Sequence, residues 1–468
     1  MKKMHLKCLL VLLLAVFLMP QKFDAANDKE NYVTVYLKSS TYNNEFKKML
    51  YKEDVPIKYN VEELGLFQIH LTSEKAQKIL ENKPYIDSYN ESLQTDVTTY
   101  SSPRKSSSNL ENTFSLGELW NLQWDMKKTT NNGESYNLAR GSKNTTVAII
   151  DSGVYADHPD LKSNIISSKN LVPKGGFRGE ETEETGDINR NIDLTGHGTF
   201  LAGQIGANGL MKGVAPNIGI KSYRVFGGKS ADSIWIINAI MEATEDDVDV
   251  INLSLGEYLV KGSVINENDK INKDQLAEIK AYKKALNFAH KRGTIVVASV
   301  GNDSLDMNST LAQSKFWDEE LKGDSLTFKG KLLDVPAQLP HVVTVSSVGP
   351  SDQLSLFSNY GKNFVDVAAY GGDTELFEKH SLEEYFSQKI YQKEFVFSTS
   401  ASGGYSYNYG TSFSSPKVAA TLALIIDKNN LHNSPNKVVH MLYKKGTIKG
   451  DKNKVGNGIL NTYQALQP

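Results

Sequence analysis

"VAIIDSGVYADHPDL", residues 147–161, decides the fold. Its first four residues are apolar with no polar alternation, the pattern of a strand buried on both faces. The run, which begins at Thr145, stops at Asp151, and Gly153 then makes the turn. A strand buried on both faces needs neighbours of its own kind, and they follow: "IKSYRVF" (220–226), "VDVINLS" (248–254), "TIVVAS" (294–299), "VVTVSS" (342–347) and "FVDVAA" (364–369). Helical patterns fill several gaps, over 231–244 and 276–291, and "PKVAATLALIIDKN" (416–429) is apolar almost all round, as a buried helix is. Apolar strands alternating with helices predict an α/β fold, a parallel sheet with helices on both faces.

Chemistry gathers at the ends of these elements. Asp151 ends a buried strand, "TGHGTFLAGQIGA" sets His197 between two glycines at a helix start, and "YGTSFSSPKVAA" sets Ser412 just before the long buried helix. Singly, each has an ordinary explanation: a helix cap, a structural histidine, a second cap. Together, in the order Asp, His, Ser, they resemble the subtilisin-type serine proteases. The resemblance runs from about 115 to 462 and includes "GVAP" (213–216), "NLSLG" (252–256), "ASVGND" (298–303), "VPA" (335–337) and "GNGILN" (456–461). It implies a subtilisin-like fold and a Ser412 nucleophile. A hydroxyl is a weak nucleophile at neutral pH and needs a base such as His197, with Asp151 to hold the imidazole tautomer. Asn302 matches the family's side-chain oxyanion donor, paired with the Ser412 backbone N–H. At the nucleophile the usual Met is replaced by Phe413, which removes an oxidisable side chain.

The resemblance also places a first specificity pocket, walled by Ser254, Leu255 and Gly256 and by the residue before the "VPA" motif's valine, Asp334. Asp303 lies at its rim. Acids there favour a basic P1 residue. Polar insertions at 165–192, 258–280, 304–333 and 372–405 are expected around the cleft, which points to a selective enzyme. The acidic run "GEETEETGD" (179–187) reads as a solvated loop. Asp160, in "HPDL", matches a family ligand for a structural Ca2+, although the loop between "HGT" and "GVAP" is shorter than in compact relatives, so part of that site is missing.

Before this region the order is strand (32–38), helix (44–53), strands (57–61 and 66–71), helix (72–83) and strand (85–94): a small α+β ferredoxin-like unit. It resembles the propeptides of secreted subtilases, which act as intramolecular chaperones and inhibitors. The polar stretch "TTYSSPRKSSSNLENT" (98–113) then lies where a propeptide tail enters its own protease. The expected organisation is a signal peptide at 1–26, a propeptide domain at 27–104 and a catalytic domain at 105–468. Lantibiotic leader peptidases of the epidermin or nisin processing type share the short propeptide, the insertions and the GTSxxSP variation, and cut after Pro-Arg. Pro103-Arg104 fits that rule, so self-cleavage is expected between Arg104 and Lys105.

Composition narrows the setting. The chain has 468 residues, 40% hydrophobic and 23% charged, enough for a large core. A net charge of −2 gives no reason to expect nucleic acid as a partner. "MKK" followed by "CLLVLLLAVFLM" and the small pair Ala25-Ala26 reads as a secretory signal. The single cysteine, Cys8, lies inside it, so a catalytic thiol is excluded and disulfide-free export from a Gram-positive bacterium is expected. The chain is expected to be a free, unanchored, extracellular monomer that acts on a peptide, a lantibiotic precursor, with its own propeptide as inhibitor. The competing expectations are a broad nutritive exoprotease and an inactive peptide-binding protein on the same scaffold.

Overall fold

The computed structural model of the chain describes residues 30–96, 119–266, 270–271, 275–320 and 326–468. The proposed signal peptide and the Arg104-Lys105 bond lie outside the described residues. In the first segment β1 (Glu30–Leu37), α1 (Asn43–Lys52), β2 (Ile57–Val61), β3 (Leu66–Thr72), α2 (Ser73–Leu80) and β4 (Ile86–Glu91) follow in the expected order. They form an antiparallel sheet, β2-β3-β1-β4, the ferredoxin-like arrangement. Thr72 caps α2 by accepting from the Lys75 amide at 3.2 Å. Phe46, Leu50, Ile79 and Leu80 of the helices pack on Val35, Phe67 and Ile69. Two residues further on, β5 (Gln94–Thr95) leaves this unit.

The body of the chain is built on β6 (Thr146–Asp151), β7 (Ile165–Asn170), α3 (His197–Gly206), β8 (Gly219–Arg224), β9 (Ala231–Asp232), α4 (Ser233–Glu245), β10 (Val250–Leu253), β11 (Glu257–Asn266), β12 (Lys270–Ile271), α5 (Leu276–Lys291) and β13 (Ile295–Ser299). It continues with α6 (Thr310–Glu320), β14 (Leu326–Val335), β15 (Val342–Val348), β16 (Val367–Tyr370), β17 (Val396–Thr399), β18 (Tyr405–Asn408), α7 (Ser415–Asn429), α8 (Pro435–Lys445), β19 (Thr447–Ile448) and β20 (Ile459–Leu460). All six apolar runs become neighbours in one sheet, β19-β20-β16-β15-β13-β10-β6-β8-β7. Its pairs are parallel apart from β19 with β20. One core lies under α4 and α5, and a second under α3 and α7, where Val418, Leu422 and Ile425 meet Phe200, Leu201 and Ile205. This is the doubly covered parallel sheet that the apolar runs predicted. Among the described residues no helix is long and apolar enough to cross a membrane.

The insertions are more ordered than polar composition suggests. Those after β10 and after β13 join: β11 and β14 pair antiparallel over ten rungs, from Glu257↔Val335 to Asn266↔Leu326. The acidic run 179–187 is a solvated loop at seven of its nine residues, but two of its glutamates turn inward. Glu181 and Glu184 are buried. Glu184 takes the fully buried Arg224 guanidinium at 2.6 and 2.8 Å, and Glu181 accepts the Phe177 and Lys229 amides at 2.7 and 2.9 Å. Arg224 is the β8 residue paired with Asp151, so the insertion is pinned beside the end of β6.

The N-terminal unit is docked on this body. Val61, Leu64, Leu66 and Leu93 belong to the α4/α5 core. β5 pairs antiparallel with β9, Gln94↔Asp232 and Thr95↔Ala231, and Ser233 donates its amide to the Leu93 carbonyl at 2.9 Å.

Candidate active site

Asp151, His197 and Ser412 come from three elements and meet at the carboxyl end of the sheet. Asp151 closes β6, and its carbonyl accepts the Val225 amide at 2.8 Å. His197 opens α3. For α3 to start here its backbone must lie against the β6 turn, which is why residue 198 is glycine: a Cβ there would stand 2.0 Å from the Gly153 carbonyl oxygen. His197 Nδ1 is 2.9 and 3.0 Å from the two Asp151 oxygens. Both residues are buried.

Asp193 completes the histidine's surroundings, and the sequence reading passed over it. One oxygen accepts from Ser152 Oγ and the Gly196 amide, both at 2.8 Å, and the other from the Thr199 amide at 2.9 Å. Gly196 and not Asp193 takes the N-cap position, so no local capping signal pointed to it. Burial alone would lower the His197 pKa. The Asp151 carboxylate, by charge and hydrogen bond, and then Asp193 outweigh it, so the ring is held above its ordinary value.

Ser412 sits in the 3-10 turn Thr411–Phe413 that feeds α7. Its hydroxyl donates to the Ser254 carbonyl at 3.2 Å, and Ser254 Oγ returns a bond to the Ser412 carbonyl at 2.8 Å. His197 Nε2 is buried without a hydrogen-bond partner, so the Ser–His bond is not made in this arrangement. Such bonds often tighten only when substrate is bound. Phe413 is fully buried, its ring centroid 5.5 Å from that of His197 and 4.4 Å from that of Phe200.

Asn302 follows β13 on the loop next to this turn. Its Oδ1 accepts from the Thr411 amide at 2.8 Å and from Thr411 Oγ1 at 3.0 Å, which turns Nδ2 away from Thr411. The predicted pocket residues are also brought together. Ser254, Leu255 and Gly256 lead from β10 into β11, and Asp334 lies opposite Tyr258 on β14. A Cβ on Gly256 would be 3.2 Å from Asp334 Oδ1, while Asp334 Oδ2 is buried without a partner. Burial, then the nearby Asp303, raises the Asp334 pKa well above the usual carboxylate value. Asp303 is raised by burial too, although the Tyr258 hydroxyl donates to it.

Asp160 does not fit the calcium role expected of it. Its oxygens accept the Leu210 and Met211 amides, both at 2.9 Å, and the Tyr405 hydroxyl at 3.0 Å. These are donors, and a cation would have to displace them. Among the described residues no group of three or more His, Cys, Asp and Glu could hold a metal ion.

Comparison with known proteins agrees with this geometry. Residues 142–460 match the model of the subtilase family. The chain is 40% identical over 427 residues to an epidermin leader peptide-processing serine protease of Staphylococcus epidermidis, covering 90% of each. It is 41% identical over 351 residues to a nisin leader peptide-processing serine protease of Lactococcus lactis, covering 75% of this chain and 49% of that one. The crystal structure of an epidermin leader peptide processing serine protease from Staphylococcus aureus superposes with a TM-score of 0.82 at 38% identity, covering 94% of this chain and 98% of that one.

Proposed function

Since the chain belongs to the subtilase family and is a subtilisin-like serine endopeptidase, we propose that it removes the leader of a lantibiotic precursor by cutting after Pro-Arg. The observation that carries the specificity is Asp334, a buried acid whose Oδ1 faces Gly256 and whose Oδ2 has no partner. A buried acid left unpaired is costly, and a P1 guanidinium would satisfy it. The leader-processing relatives support the choice of substrate class.

In the reaction the Ser412 hydroxyl turns from the Ser254 carbonyl to His197 Nε2, gives up its proton there and attacks the scissile carbonyl. Asp151 holds the ring and stabilises the imidazolium. The Asn302 Nδ2 and the Ser412 backbone N–H take the developing oxyanion. His197 then protonates the leaving amine, and water repeats the sequence on the acyl-enzyme.

The enzyme is exported as a zymogen. Its N-terminal unit acts as inhibitor, and the β5–β9 pairing supports this, because it lays the unit's tail along an edge that leads back toward Asp151. Maturation cuts Arg104–Lys105.

The test compares kcat/KM on otherwise identical Pro-Arg and Pro-Leu peptides for the mature enzyme and Asp334→Asn. Removing one partner of a buried charge pair costs about 2–5 kcal/mol, so the Arg preference should fall at least ~30-fold. An unchanged ratio would refute the pocket assignment. A casein turnover equal to that on a leader peptide would refute the substrate class, and a mature N-terminus away from Lys105 the processing site.

A further inference from the structure

The loop that carries Asn302 is stapled from one side. Asn359, fully buried, spends its whole side-chain capacity on that loop and its support. Its Oδ1 accepts the Asp303 amide at 3.0 Å and the Leu305 amide at 2.9 Å. Its Nδ2 donates to the Val300 carbonyl at 2.7 Å and to the Tyr258 hydroxyl. The Asn359 amide adds a bond to the Gly301 carbonyl at 3.2 Å. These contacts fall on both sides of Asn302, whose Oδ1 is held by Thr411. The packing is close enough to dictate residue 301: a Cβ on Gly301, whose φ is 87°, would stand 2.6 Å from Asn359 Nδ2 and 2.9 Å from the Tyr258 hydroxyl.

Tyr258 extends the staple. Its hydroxyl accepts from Asn359 and donates to Asp303 Oδ2, and it stands on β11 opposite Asp334. One amide side chain therefore ties the loop of the oxyanion donor to the strand that walls the pocket.

We propose that Asn359 is a positioning residue for the hydrolysis, which fixes the Val300–Leu305 loop so that the Asn302 carboxamide meets the oxyanion, with Tyr258 as its link to the pocket wall. This rests on the oxyanion assignment of Asn302. A donor displaced by 1 Å loses most of its value in the transition state while ground-state binding is little changed. The loss should therefore appear in kcat and not in KM.

The experiment is a double-mutant cycle on the full chain with Asn302→Ala, Asn359→Ala and the pair. Each variant is matured in trans by affinity-tagged wild-type enzyme that is then removed, and competent sites are counted by end-point fluorophosphonate labelling. Asn359→Ala should lower kcat about 10- to 100-fold with KM within about twofold, as partial loss of an oxyanion donor worth 10²–10³. In the Asn302→Ala background it should cost less than about threefold, because the group it positions is already gone. A general structural role would cost the same factor in both backgrounds, and that outcome overturns the proposal. An Asn302→Ala variant with wild-type kcat would remove the oxyanion assignment and this proposal together. A normal Asn302→Ala loss with a multiplicative double variant would remove only this one. If Asn359→Ala does not fold, Tyr258→Phe, which deletes one hydroxyl, is carried through the same cycle with the same criterion.

Discussion

Raising the pH should loosen the N-terminal unit from the body, and Glu257 and Glu278 set how steeply. Both carboxyls are buried. Glu257 Oε1 accepts from Ser233 Oγ at 2.7 Å and Tyr282 Oη at 3.3 Å, and its Oε2 has no partner. Glu278 Oε2 accepts from Asn90 of the N-terminal unit at 2.5 Å, and the Ala277 amide donates to Asn90 Oδ1 at 3.0 Å. Burial pushes Glu257 up to about 8, with Glu278 adding repulsion, and pushes Glu278 up to about 7. Tyr282, whose hydroxyl donates to Glu257, is pushed further above its ordinary value by burial and by Glu257, so it stays neutral. The folded chain thus holds two protons that an opened chain releases near 4.5. Their contribution to stability is full below that value, is lost as the pH climbs, and levels off above about 8. At about 1.4 kcal/mol per pH unit for each group, the loss is several kcal/mol. The assay is thermal denaturation of the Ser412→Ala chain, chosen to prevent the proposed self-cleavage, from pH 5 to 9. Because one kcal/mol moves a melt by roughly 2–4 °C in a domain of moderate size, the decline should reach on the order of 10 °C. Glu257→Gln should remove the part nearest pH 8 and the double Gln variant nearly all of it. A double variant whose melting temperature falls as steeply as that of the parent would refute the reasoning.

Two further perturbations separate charge from scaffold. Asp193→Asn deletes one of the two charges that raise the ring, and it also sets an amide donor against the Gly196 or the Thr199 amide, so its melting temperature is followed beside its activity. Since the base must be neutral to accept the Ser412 proton, the acidic limb of kcat/KM should move to lower pH, and a pH–rate profile checks this. Asp160→Asn replaces an acceptor with a donor facing other donors and should cost about 1–3 kcal/mol of stability, whereas a chelator should leave the melting temperature of the wild type unchanged at this clasp.

The parallel sheet was legible because strands buried on both faces are apolar throughout, as in 145–150 and 294–299. β7, "IISSKN", escaped because an edge strand needs no such run, and four of its six residues are polar. β11 and β14 escaped for another reason: each is completed by a partner 60 to 78 residues away along the chain, and nothing local announces the pairing. The pairing of Asp151 with His197 was legible because one ends a buried strand and the other opens a helix between two glycines. Glu184 was not, since a glutamate in an acidic run looks solvated until Arg224 is placed beneath it. Asn359 looked like any turn asparagine, and its role lies wholly in what folds against it.

The β11–β14 ladder has one more consequence. β11 begins just after Gly256 and β14 ends just before Pro336, so the rungs at that end of the ladder form the walls of the proposed pocket. Side chains in a ladder alternate between faces. A slip of one residue would withdraw Asp334 and present Leu333 or Val335, exchanging an acidic floor for an apolar one. On the proposed pocket, selectivity would be a matter of parity, changed in a whole step by a single inserted or deleted residue.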